Sequence, residues 1–239
     1  MNLENAYILF EQSGTFKRSF QRRGVRAFDF DIDNQFGQTD YQMDLFQEIE
    51  SCFDGKPSVF DRFTARDFVF ASFPCTYFSS CSQVSFSFDC KHYWKKSVIE
   101  AARIMLERNY MRSYYFGVLL KLVAIVIDRK LPFAFENPWA GNTFLKGNFS
   151  FVPSVVHWNR SLYGDFFRKP TAYWFFNFKF PFFPPTPVAR KRTFTIHQKK
   201  GIERSLISQD YSDIFVDHYI LGFYPGFYQP DLFNVANLT

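Results

Sequence analysis

Two short motifs carry residue types that do chemistry. Asp67-Phe-Val-Phe-Ala-Ser-Phe-Pro-Cys75 ends an apolar run on a thiol, and Phe135-Glu136-Asn137-Pro138 ends another on a carboxyl and an amide. A thiolate is a strong nucleophile, and a neighbouring carboxyl group can supply the proton that an addition step needs. A free thiol with a pKa near ~8.5 is only a few per cent thiolate at neutral pH, so Cys75 needs an electropositive setting. A position just beyond a strand and before a helix is one source of it. Cys52, Cys81 and Cys90 read as ordinary small buried residues. A third region, Glu11-Gln-Ser13-Gly14-Thr15-Phe16, can present backbone N–H groups and a helix N-terminus to a polar cofactor group. Asp31 ends the next apolar run, where an acid accepts hydrogen bonds from ribose hydroxyls in Rossmann-like sites, with Asp29 and Asp33 as competing choices.

The elements that must position these groups alternate in type. Tyr7 to Phe10 reads as a strand, Phe16 to Arg23 as a helix stopped by Gly24, and Val25 to Asp31 as a second strand. A third unit spans Tyr41 to Glu50. Asp67 to Ser72 reads as a buried strand, Tyr93–Asn109 and Arg112–Ile127 as two helices, and Pro132 to Glu136 as the next strand. Such alternation implies βαβ units and a mostly parallel sheet covered on both faces, with ligands beyond the carboxyl ends of the strands. Ser13 and Gly14, Asp31, Cys75 and Glu136 all fall at such ends. The run Pro181-Phe-Phe-Pro-Pro-Thr-Pro187 breaks regular structure and sets a boundary, giving a domain over 1–180 and a short basic module over 181–239.

The bulk composition fits one compact domain. The chain has 239 residues, 47% hydrophobic and 21% charged, with a formal charge of +5. Its 35 Phe and 13 Tyr are spread along the whole length, which argues for compositional drift rather than one aromatic binding surface. Four Cys without paired spacing read as reduced thiols in a cytoplasmic protein, with neither a disulfide framework nor a metal site. The apolar run from Tyr114 to Ile127 is interrupted by Lys121 and is shorter than the ~20 residues of a membrane span, so no membrane association is expected.

Taken in order, the motifs resemble those of the DNA (cytosine-5)-methyltransferases. Leu9-Phe10-x-x-Ser13-Gly14-x-Phe16 resembles a degraded first motif at the S-adenosylmethionine site, and Asp31-Ile32 the pair that holds ribose and adenine. Asp44-Leu45-Phe46 resembles the adenine contact. Phe73-Pro74-Cys75-Thr-Tyr-Phe-Ser79 is close to the catalytic Phe-Pro-Cys motif, Phe135-Glu136-Asn137 matches the Glu-Asn motif, and Tyr163-Gly164 opens a segment with the spacing of the Tyr-Gly motif. The match covers residues 7–175. Asn137-Pro138-Trp139 also resembles the Asn-Pro-Pro-aromatic motif of amino-methylating enzymes, but the preceding Glu136 favours the C5 class.

The resemblance implies a Rossmann-like methyltransferase fold, S-adenosylmethionine as methyl donor with S-adenosylhomocysteine as product, and DNA as partner. It implies that Cys75 adds to cytosine C6 on a flipped base and that Glu136, beside Asn137, hydrogen-bonds and protonates the pyrimidine edge. Restriction protection or self-modification of a phage genome are roles in keeping with it. The pattern departs from the family at three places. Lys169 and Thr171 stand where two Arg belong, so Arg168 or Lys169 is expected to take the lost role. No recognition domain of normal size follows, so the basic residues Arg190, Lys191, Arg192, Lys199, Lys200 and Arg204 are expected to contact phosphates, with relaxed specificity or a second subunit or homodimer. No final segment returning to the cofactor site is evident. Two other readings stay open: a non-catalytic relic that binds nucleic acid or protein, and a pyrimidine C5-alkylating enzyme on free nucleotides.

Overall fold

A computed structural model describes residues 3–180, 184–188 and 206–222. Seven strands form one sheet: β1 (Asn5–Leu9), β2 (Arg26–Asp31), β3 (Tyr41–Gln42), β4 (Phe68–Ala71), β5 (Phe133–Pro138), β6 (Val155–His157) and β7 (Thr171–Phe176). Their order is β3-β2-β1-β4-β5-β7-β6. The first five are parallel, and β7 runs antiparallel between β5 and β6. The α/β class and mostly parallel sheet expected from the sequence are present. Strand order reverses between β1 and β4, and the region beyond their carboxyl ends is the usual ligand position in open α/β sheets.

Alternation along the strands divides the core between two faces. Leu9, Val69, Ala71, Phe133 and Phe135 point to one cluster, completed by helices α2 (Leu45–Phe53) and α4 (Val98–Asp128). Ala6, Ile8, Phe68, Phe70 and Ala134 point to the other, completed by α1 (Thr15–Gln21) and α6 (Gln209–Phe215). Two short helices, α3 (Ser80–Gln83) and α5 (Phe144–Asn148), lie in the connections after β4 and β5.

The two helices expected over 93–127 are one. Asn109-Tyr-Met-Arg112 contains no Gly or Pro, so nothing stops the helix there, and α4 runs 31 residues from a capping box between Ser97 and Glu100. Tyr93 lies before it in a separate 3-10 turn. Among the described residues α4 is also the helix long and apolar enough to cross a membrane, but Val118 to Val126 supply core side chains. Strand β7, for which no strand was expected, has Thr171, Ala172, Tyr173 and Trp174 all buried. Burial on both faces of this strand removes the period-2 signature.

Candidate active site

The two chemical motifs meet because their strands are neighbours. β4 and β5 pair in parallel, with Ala71 beside Phe135, so continuing the register sets Phe73 beside Asn137. The buried Asn137 side chain confirms it, donating from Nδ2 to the Phe73 carbonyl at 3.1 Å. Phe73-Pro74-Cys75 is thereby tied to the strand carrying Glu136. The Cys75 carbonyl then accepts from the N–H groups of Phe78 and Ser79, which turns the chain toward α3.

Cys75 keeps partial surface exposure, while the protein packed around its sulfur pushes the thiol pKa up. Lys169 pulls it down and Glu136 adds to the rise. The helix expected to activate the thiol does not do so: α3 has only four residues, and the charge that favours the thiolate is Lys169. Glu136 is buried and its Oε2 has no hydrogen-bond partner among the described residues; Asn137 Oδ1 is in the same condition. Arg168 is exposed, so of the two candidates for the lost Arg role only Lys169 bears electrostatically on Cys75.

On the other side of Glu136 lies a network with no sequence signature. Glu136 pairs in register with Tyr173 on β7. Buried Arg160 donates through Nε to Asp165 Oδ2 at 2.6 Å, and its charge is felt by Tyr173 and Tyr211 as well as by Glu136's neighbourhood. Tyr173 and Tyr211 share a 2.5 Å hydroxyl contact, and His157 lies between Tyr211 and Tyr219 at 2.6 and 2.8 Å. Burial, then the positive Arg160, lowers the His157 pKa to about 3. Tyr163 packs on the His157 ring at 4.4 Å, and Gly164 adopts a φ of 91°, beside Asp210 of α6. Tyr163 and Gly164 stood in the Tyr-Gly segment, but nothing in the spacing announced their meeting with His157, Arg160 and Tyr211, which β6, β7 and α6 assemble.

The expected cofactor residues divide into two groups. Phe10, Phe46 and Phe73 gather at the ends of β1 and β4, Phe46 stacking on Phe73 at 5.8 Å and Phe10 meeting both edge-on. Pro74 follows directly. Asp31 closes β2, its carboxyl pKa raised by burial and then by Asp33 despite accepting from the Asp33 N–H; Ile32 beside it is exposed. Asp29, the competing acid, is committed to Lys17 in a buried ion pair at 2.9 Å.

The other group serves the fold. Glu11 is buried, and its carboxylate accepts from the N–H groups of Thr15 and Phe16 and from Ser13 Oγ, so the donors assigned to a cofactor group are already engaged. Burial raises the Glu11 pKa although these bonds oppose the rise. Gly14, with a φ of 65°, makes the turn before α1. Phe16 is a core residue between Phe70 and Phe215, Thr15 is buried, and Leu45 is buried in the opposite cluster. Asp44 caps α2, accepting from the N–H groups of Phe46 and Gln47.

A segment returning to the cofactor loop, which no motif announced, is present as α6. Gln209 donates to the Thr15 carbonyl and to Ser19, Ser19 bonds Ser212 and Asp213, and Arg22 and Arg23 pair with Asp213. Arg23 also pairs with Asp217. Arg190, Lys191, Arg192, Lys199, Lys200 and Arg204 lie outside the described residues. No family model and no curated protein matches the chain.

Proposed function

We propose that the protein is an S-adenosylmethionine-dependent methyltransferase acting on cytosine C5 in DNA. The observation that carries this reading is the convergence, at adjacent parallel strand ends, of the Cys75 thiol, the buried Glu136 carboxyl with an unpartnered oxygen, and the Lys169 cation. The reversal of strand order between β1 and β4 supports a methyltransferase version of the Rossmann-like fold.

Cytosine C5 is a weak nucleophile until a group adds at C6. Cys75 is the nucleophile, Lys169 favours its thiolate, and Glu136 holds and protonates the pyrimidine edge, a contribution on the order of 10²–10⁴-fold. S-adenosylmethionine supplies the electrophilic methyl group. Asp31 would hold its ribose and the Phe10, Phe46 and Phe73 wall its adenine, whereas Glu11 already takes the Thr15 and Phe16 N–H groups at the α1 N-terminus. A polyanionic partner is favoured by Lys91, Lys95, Lys96, Arg108 and Arg112, none of which enters any of the ten ion pairs among the described residues. Arg108 rests on Tyr77, two residues from Cys75, so this basic arm adjoins the site. Four free cysteines support a reducing, cytoplasmic setting.

Labelled S-adenosylmethionine offered with DNA, RNA or dCMP tests the reading. Transfer to DNA, lost in Cys75→Ser, and covalent trapping on 5-fluorocytosine DNA are expected. Transfer to dCMP alone would identify a free-nucleotide enzyme, and cofactor binding without transfer would leave a binding module.

A further inference from the structure

Away from Cys75, α4 carries a face without a partner among the described residues. From Val118 onward it is embedded in the core, but between Val98 and Gly117 only Ala101 is buried. Val98, Ile99, Leu106 and Tyr110 are 74%, 66%, 70% and 72% exposed. At 3.6 residues per turn they fall along one side, and the 99, 106, 110 spacing repeats as in helices that pack on helices. A contiguous stripe of large apolar side chains on a projecting helix marks a protein contact.

Charge on this helix selects the occupant. Arg108 and Arg112 turn inward onto Tyr77 and Phe86, at 5.5 and 3.8 Å from the rings, so they lie off the stripe. What flanks Leu106 is Arg103 and Glu107, both exposed and neither in an ion pair among the described residues. A stripe with one charge of each sign complements itself under a twofold axis. With that axis level with residue 105 and the helices antiparallel, Arg103 lies level with Glu107 of the second copy, the two Leu106 side chains lie about 3 Å apart along the axis, and Ile99 lies within about one residue of Tyr110. Burying these apolar side chains from both copies removes on the order of 1,000 Å², the lower bound for a specific interface, and exposed Trp94 just before the helix extends it.

We propose that the chain forms a twofold dimer through antiparallel pairing of the amino-terminal halves of α4. The pairing is independent of the reaction at Cys75.

Sedimentation velocity of the full chain tests this. The wild type is expected to dimerise in the micromolar range and Leu106→Glu to be monomeric, with unchanged circular dichroism. Arg103→Glu and Glu107→Arg should each weaken association by at least about tenfold, and the double reversal should restore it. A wild type that stays monomeric, or a dimer indifferent to Leu106→Glu, overturns the proposal. So does a double reversal that fails to restore association. Loss of DNA retention in Leu106→Glu at unchanged sedimentation would also overturn it, making nucleic acid the occupant.

Discussion

At the scale of single residues, the site rests on a thiol whose surroundings pull in opposite directions. Burial and Glu136 hold the Cys75 thiol protonated, and Lys169 opposes them. Removing the cation in Lys169→Met should therefore shift the pH profile of Cys75 alkylation to higher pH, slowing the reaction near neutrality and recovering it in alkali. Site-resolved mass spectrometry after iodoacetamide treatment reads this, and an unmoved profile would remove Lys169 from the mechanism. Glu136→Gln should move the profile the other way. His157 gives a second pH effect, on stability. Its pKa falls from 6.5 to about 3 on folding, so the unfolded chain binds the extra proton and the stabilising contribution, present above pH 6.5, is lost as pH falls toward 3. This group alone contributes a slope of up to about 1.4 kcal/mol per pH unit in that window. Urea titrations of His157→Gln should show a flatter acid limb than wild type.

At the scale of elements, legibility followed the range of the interaction. Glu136 and Cys75 were visible because Glu136 lies in, and Cys75 shortly follows, a local apolar run that forms a strand, and the sheet does the rest. Strand β7 was hidden because residues buried on both faces show no alternation. The role of Asp44 as a cap and of Glu11 as the acceptor for α1 are local events that a resemblance to a cofactor motif obscured: the same acids that could touch a ligand are used by their own backbone. Helix α6 was invisible for a different reason, since its polar contacts with α1 and the turn after it join residues 190 or more positions apart, Ser19 to Ser212 at a separation of 193. Those contacts can be weighed. Arg23 is mostly covered and bonds both Asp213 and Asp217. Arg23→Ala leaves Asp217 without its cation and Asp213 with Arg22 alone, and should cost about 1–3 kcal/mol in global stability by urea denaturation, an effect reduced by high salt. A loss below a few tenths of a kcal/mol would show that α6 is held by apolar packing of Tyr211, Phe215 and Tyr219 alone.

At the scale of the whole molecule, the described residues form one broad seven-stranded sheet with its covering helices. Basic side chains without ion pairs lie along the arm between Lys91 and Arg112, directly after the Cys75 loop. Phosphate contacts of this kind supply affinity and salt dependence but no base reading. DNA recovered from cells expressing the protein should therefore show methylcytosine in very short or varied contexts by bisulfite sequencing. Methylation confined to one long motif would contradict this. The overall class and the meeting of the two motifs were legible in the residues. The buried Arg160, His157, Tyr173 and Tyr211 cluster was not, because it exists only once distant strands and α6 are assembled.

The late position of α6 has a consequence for how the protein is made. One face of the sheet, with Phe70 and Tyr173, has only the partial cover of α1 until residues 209–220 have left the ribosome, because those residues complete it. Domains whose closing contacts span most of the chain fold slowly and expose apolar surface while they wait. The nascent protein is thus a natural client for chaperones during most of its synthesis, and ribosome-bound chains stopped before residue 209 should remain protease-sensitive.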